Sequence, residues 1–123
     1  MDGHFLQGID TIILRVSDIE QSKLWYFRKL GFPSIHEDDK LRLAVLDTSG
    51  PTSLTLWETI EEIKINPQTA SYPIFRTADA SVAHQKLQEQ GVSVGDLITD
   101  HVVTYFTFSD PDGNILEVCQ VHA

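Results

Sequence analysis

The chain repeats itself. "LRVSDIEQS", Leu14 to Ser22, aligns with "FRTADASVA", Phe75 to Ala83, so that Arg15 meets Arg76 and Asp18 meets Asp79. Gly31 then meets Gly91, with one residue fewer in the second copy. A shared Arg, an Asp placed to cap a helix and a Gly placed to end one fall in register together, which marks a duplication.

Each copy reads strand, helix, strand, strand, strand. "TIILRV", Thr11 to Val16, is rich in β-branched residues and predicts a strand. Asp18 with Gln21 three residues on suits a helix N-terminus. Ile19, Ser22, Tyr26 and Leu30 then recur at helical spacing and make one buried face, and Gly31 stops the helix. "KLRLAVLDT" and "SLTLWE" alternate as strands around the turn "TSGP". "TIEEIKINPQTAS" is polar, contains Pro67 and reads as a linker. In the second copy "VSVGDLITD", "VVTYFTFSD" and "NILEVCQ" predict the later strands. "DPDG", Asp110 to Gly113, predicts a tight hairpin turn. The expected fold class is α+β: a single domain of two tandem βαβββ modules, about residues 8–60 and 68–123. Each helix covers one sheet face. The other faces form a curved mixed sheet around a central cleft open to a ligand.

Composition narrows the partners. The chain has 123 residues, 41% of them hydrophobic and 22% charged, which is the make-up of a soluble domain with one core. A net charge of −9 argues against nucleic acid and anionic membrane, which both want Lys and Arg. It is compatible with neutral or cationic ligands. "MDGHFLQGID" has no basic region followed by an apolar run, and no stretch of about 18 apolar residues occurs. With Cys119 as the sole cysteine, the expectation is a cytoplasmic protein without disulfides.

Taken together, "TIILRVSDIEQSKLWYFRKLGF", "FRTADASVAHQKLQEQGVSV" and "DPDGNILEV" give a chain that resembles the vicinal oxygen chelate superfamily, also called the glyoxalase/bleomycin-resistance/dioxygenase superfamily. The resemblance covers nearly the whole chain. It implies the paired βαβββ fold, a cleft and often a pairing of two chains. It leaves open metalloenzymes, epimerases and metal-free drug binders. Enzymes resembling glyoxalase I place His, Gln or Glu ligands on four strands. Here those positions match Thr11, Thr55, Tyr72 and Glu117, and only Glu117 keeps the ligand type. Catalytic metal sites use about three imidazole or carboxylate ligands. Threonine hydroxyls are feeble donors, and a tyrosine would have to lose a proton of ordinary pKa about 10. The expectation is no metal and no cofactor. A different set, His36 and His101 with Glu117, stays open.

Strand parity names the lining. Thr11, Ile13 and Arg15 face the cleft, and so do Tyr72, Ile74 and Arg76. Ser53, Thr55 and Trp57 follow from the fourth strand of the first module, and Ile115, Glu117 and Cys119 from that of the second. Ile12, Leu14, Val16 and Phe75 pack under the helices. Each lining residue also has a plainer reading. Arg15 and Arg76 can pair with acidic neighbours. Trp57 and Tyr72 can be packing. Glu117 can be hydrogen-bonded to Thr11, Thr55 or Tyr72. Cys119 reads as an inert thiol. His4 and His122 fall in frayed termini, His84 on the solvent side of the second helix, and His36 and His101 at the surface or rim.

The leading reading is a small-molecule binder of the resistance or sequestration type. Arg15 or Arg76 orients the ligand, Trp57 and Tyr72 stack on it, and Glu117 accepts hydrogen bonds. The alternative is a lyase or isomerase with Glu117 as general base, with or without a divalent metal. A third possibility is a fold remnant serving as a dimerisation module.

Overall fold

The computed structural model describes residues 5–122; His4 lies outside them. The described residues group into two compact units, one ending at Ile60 and the other beginning at Glu61.

The first unit contains β1 (Thr11–Val16), α1 (Ile19–Leu30), β2 (Ser34–Asp38), β3 (Leu43–Leu46) and β4 (Ser53–Glu58). Its sheet order is β1-β4-β3-β2, with β1 parallel to β4 and the other pairs antiparallel. The helix starts where the sequence places it. Asp18 is extended and its carboxylate accepts from the Gln21 amide at 3.1 Å, satisfying one of the orphan donors of the first turn. It ends at Gly31, whose φ of 74° is a left-handed conformation that costs glycine nothing. Ile19, Ser22 and Tyr26 are buried, while Leu30 is half-buried. The helix packs over β3 and β4, and Leu14, Val16, Ala44, Leu46, Leu54 and Leu56 fill the layer beneath it. Ile12 is only half-buried.

Glu58, at the end of β4, holds that layer in register. Its carboxylate accepts from the Ile19 amide at 3.0 Å and from Arg42 Nε and Nη2 at 3.1 Å each. The Arg42 guanidinium and the Ile19 amide keep the carboxyl below its ordinary range.

One predicted strand is shorter than expected. Of "KLRLAVLDT" only Leu43–Leu46 pairs. Asp38 Oδ1 accepts from the Lys40 and Leu41 amides at 3.0 and 2.9 Å, so the residues before Leu43 close a turn, with Arg42 at a φ of 57°. The remaining strand, β2, had no alternating pattern to reveal it, because its five residues are exposed or half-buried.

The second unit repeats the plan with β5 (Ile74–Arg76), α2 (Ala80–Glu89), β6 (Ile98–Thr99), β7 (Val103–Ser109) and β8 (Ile115–Val121). The order is β5-β8-β7-β6, again with the outer pair β5 and β8 parallel. Asp79 caps α2 by accepting from the Val82 amide at 3.1 Å, as its repeat-mate Asp18 does. The helix closes on Gln90, and Gly91 follows at a φ of 81°. Gln120 Oε1 accepts from the Ala80 amide at 2.9 Å, taking the place that Glu58 holds in the first unit. Ala80, Leu87, Val92, Phe106, Phe108, Leu116 and Val118 form the core.

"DPDG" is the β7–β8 turn that the sequence predicts. Buried Asp110 organises it: Oδ1 accepts from the Asp112 and Asn114 amides, and Oδ2 from Asn114 Nδ2, all at 2.9 Å. Gly113 takes a φ of 84°.

Three further expectations are corrected. "VSVGDLITD" is not a continuous strand. It gives a lone bridge from Val94 to Phe108 and then the two-residue β6. Gly95 breaks it by close approach: its amide donates to Thr107 O at 2.7 Å, and a Cβ there would lie 3.1 Å from Thr107 Oγ1. His84 does not face solvent. It is half-buried, with Nε2 2.8 Å from Gly95 O and its ring edge-on to Phe106 at 4.9 Å between centroids. His122 is not frayed, since its amide donates to Val102 O and its Nε2 lies 2.9 Å from Thr104 Oγ1.

The linker, residues 59–71, carries no helix or strand. Asn66 shapes it by accepting from the Gln68 amide through its side chain and from the Thr69 and Ala70 amides through its carbonyl. Among the described residues, no helix is long and apolar enough to cross a membrane.

Candidate functional site

In both units the sheet face away from the helix is the less buried one, and strand parity decides what stands on it. On β1 the burial alternates as predicted: Ile13 and Arg15 are exposed while Leu14 and Val16 are buried. The β1–β4 register then sets Thr11 beside Ser53, Ile13 beside Thr55, and Arg15 beside Trp57. Val45 on β3 lies beside Thr55 and continues that row.

The hydroxyl groups of this face are already engaged. Thr11 Oγ1 donates to Ser53 O at 3.2 Å and lies 2.8 Å from Thr55 Oγ1. With the Thr11 proton directed at the carbonyl, Thr55 donates to Thr11 and the pair offers only lone pairs outward. Beside it is an open hollow of about 360 Å³, lined among others by Thr11, Thr55, Val45, Ile35 and Asp47. Ile35, Val45 and Asp47 were missed in the sequence reading. For Val45 the alternation of "LAVL" was a sufficient signal, whereas Ile35 sits in the featureless β2.

Arg15 is held in place. Its guanidinium carbon lies 5.1 Å from the Trp57 ring centroid. Nε donates to Trp57 O at 3.0 Å and Nη2 to Glu58 O at 3.1 Å. Trp57 is fixed in turn, with Nε1 donating to Leu41 O at 3.0 Å. The carboxylate of Glu58 belongs to Arg42, so Arg15 bonds the backbone carbonyl there and stacks on the indole.

On the second unit's open face, Ile74 lies beside Glu117, and Arg76 beside Cys119. Across β8, Thr107 pairs with Glu117, Tyr105 with Cys119, and Ser109 with Ile115. These three β7 residues were also missed, although "VTYFTFS" alternates and the same parity rule would have found them. Tyr72 stands ahead of β5 and is 37% exposed, and Ile74 is exposed. Cys119 is half-buried.

Glu117 is the unusual group. It is only 8% exposed, yet within its unit no described residue donates a hydrogen bond or an ion pair to its carboxylate. Burial pushes its pKa up. No buried side-chain oxygen among the described residues is both sealed from solvent and unbonded, so the carboxylate oxygens keep an opening to the face. A carboxylate held this way can accept a proton or a donor from outside the protein.

The four positions that match the family's metal ligands do not fit a divalent ion. Thr11 and Thr55 are bonded to each other, Tyr72 offers a phenol, and Glu117 is the one carboxylate. His36 and His101 are exposed. Among the described residues, no three His, Cys, Asp or Glu side chains gather as a metal cluster.

The sequence matches the Glyoxalase/Bleomycin resistance protein/Dioxygenase superfamily over residues 8–118, and the chain belongs to that superfamily. Its structural relatives are of several kinds. TnmS3, an antibiotic binding protein from a Streptomyces species, is 26% identical, with 96% of this chain and 98% of that one covered and a TM-score of 0.77. An integron cassette protein from the mobile metagenome of the Halifax Harbour sewage outfall is 24% identical over 94% of this chain and 100% of its own, with a TM-score of 0.80. The fosfomycin resistance protein FosX from Listeria monocytogenes is 12% identical over 96% of each chain, at a TM-score of 0.80, a likeness of fold alone. No curated protein matches the chain.

Proposed function

We propose that the protein binds a small organic molecule on the open faces of its sheets, as a sequestering or resistance protein does, without a catalytic metal. The observation that carries this reading is Glu117, a buried carboxylate without a partner in its unit on a face that also presents Ile74 and Tyr105. Native proteins satisfy buried polar groups, and one left open suits a donor that arrives from elsewhere. Apolar and aromatic surface with a few polar groups is the usual make-up of a small-molecule site. The 26% identity with an antibiotic binding protein supports the same reading. Pairing of two chains and a cytoplasmic setting go with it, the first open to sedimentation analysis. The test is a thermal-shift screen of purified protein against a chemically broad panel of antibiotics and aromatic metabolites. Hits that raise the melting temperature, and lose their effect in Glu117→Leu, are expected. A panel without hits defeats the reading.

A second reading has one observation of its own. The raised pKa of Glu117 is what a general base needs, since it moves the group towards working pH. On that reading the protein is a lyase or isomerase. Glu117→Gln then abolishes turnover of a bound substrate and retains its binding, whereas unchanged turnover removes the enzyme from consideration.

A further inference from the structure

Arg15 and Arg76 occupy the same place in the repeat, but their strand partners differ. Arg15 lies beside Trp57, and its guanidinium is held by the indole and two carbonyls. Arg76 lies beside Cys119, and a thiol offers neither a ring nor a strong acceptor. Arg76 is exposed, and among the described residues no hydrogen bond, ion pair or ring contact engages its side chain. Glu117 stands diagonally from it on the same face, in register with Ile74. The strand spacing and rise put the two Cα atoms roughly 8 Å apart. The pair forms no salt bridge, so the face holds an unengaged guanidinium and an unengaged buried carboxylate side by side.

Two such groups ask for a ligand with two matching ends. The guanidinium fork fits a planar anion, and the carboxylate wants a donor hydrogen. Ile74 and Cys119 stand at the other two corners, and Tyr105, beside Cys119 in the β7–β8 register, adds an aromatic ring next to them. We propose that Arg76, and not Arg15, anchors the ligand's anionic end, and that the ligand is a ring-containing hydroxy acid whose carboxylate meets Arg76 and whose hydroxyl donates to Glu117. This rests on the small-molecule reading above and names the ligand class of the same site.

The experiment titrates the full chain, labelled with nitrogen-15, with 3-hydroxybenzoate, benzoate and 3-hydroxybenzyl alcohol. Backbone amides and arginine Nε signals are followed. The bifunctional acid is expected to shift β5, β8 and Arg76 Nε and to bind about tenfold tighter than either partial probe. Arg76→Gln removes that advantage, while Arg15→Gln leaves affinity within about twofold. Both variants are checked for an unchanged amide spectrum elsewhere. Loss of affinity in Arg15→Gln with none in Arg76→Gln overturns the assignment and leaves the small-molecule reading standing. Absence of any shift from all three probes overturns the hydroxy-acid class. The broader reading then stands or falls on the thermal-shift panel.

Discussion

Replacing Glu117 by Leu is expected to stabilise the protein at pH 8 and to do so less as the pH falls. Burying a polar group without a partner costs about 1–3 kcal/mol in protein mutational data. Glu117 is 8% exposed but its oxygens keep an opening, which points to the lower end, about 1 kcal/mol. Over 123 residues, unfolding entropy of about 2.1 cal/mol/K per residue totals about 260 cal/mol/K, so that gain is worth about 4 °C in melting temperature. The pH dependence follows from the direction of the shift. The folded carboxyl titrates above the ordinary 4.5, so between that value and its raised one the folded state binds more protons than the unfolded state. Wild-type stability therefore falls as pH rises through this window, and the leucine variant lacks that component. Thermal unfolding of both proteins from pH 4 to pH 8 reads it directly. A variant less stable than wild type at pH 8, or a difference that does not change with pH, refutes the argument that the charged form of Glu117 is costly where it stands.

Asp110→Ala removes the side-chain hydrogen bonds that its carboxylate accepts from Asp112 and Asn114 in the β7–β8 turn. A loss of about 2–4 kcal/mol is expected in urea unfolding, with the midpoint shifted and the slope unchanged; a loss near zero means that the turn is set by Gly113 alone. Asp18→Ala and Asp79→Ala each delete one helix cap and are each expected to cost about 1 kcal/mol in the same assay, with Asn substitutions restoring most of it.

The duplication was legible because its marks are local chemistry. An Asp that caps and a Gly that closes are fixed by the backbone of a single helix end, and both copies carry them. The strands that alternate between core and open face were legible for the same reason. β2 was not, because none of its residues is fully buried and periodicity needs contrast. The break at Gly95 was not, because it depends on how near a neighbouring strand's backbone comes. For the site, parity placed Thr11, Ile13 and Arg15 on the open face as the structure does, and the rule applied to β7 would have added Tyr105 and Thr107. What no pattern on β1 or β5 could show is that the two arginines part ways. That difference lies in whether Trp57 or Cys119 is the neighbour, and it emerges only once the parallel register is known.

The two helix anchors carry a further consequence. Glu58 and Gln120 perform the same task in the two units, holding the first amide of their unit's helix, but one is an acid and the other is not. Glu58 titrates below its ordinary value, so its contribution is complete at neutral pH and is lost as acid carries the solution through that lowered value. Gln120 has no charge to lose. Glu117, in the same unit as Gln120, is relieved by acid instead of injured by it. Acid thus undoes the helix anchor of the first unit and leaves that of the second intact, so the start of α1 should loosen before the start of α2 as the pH falls.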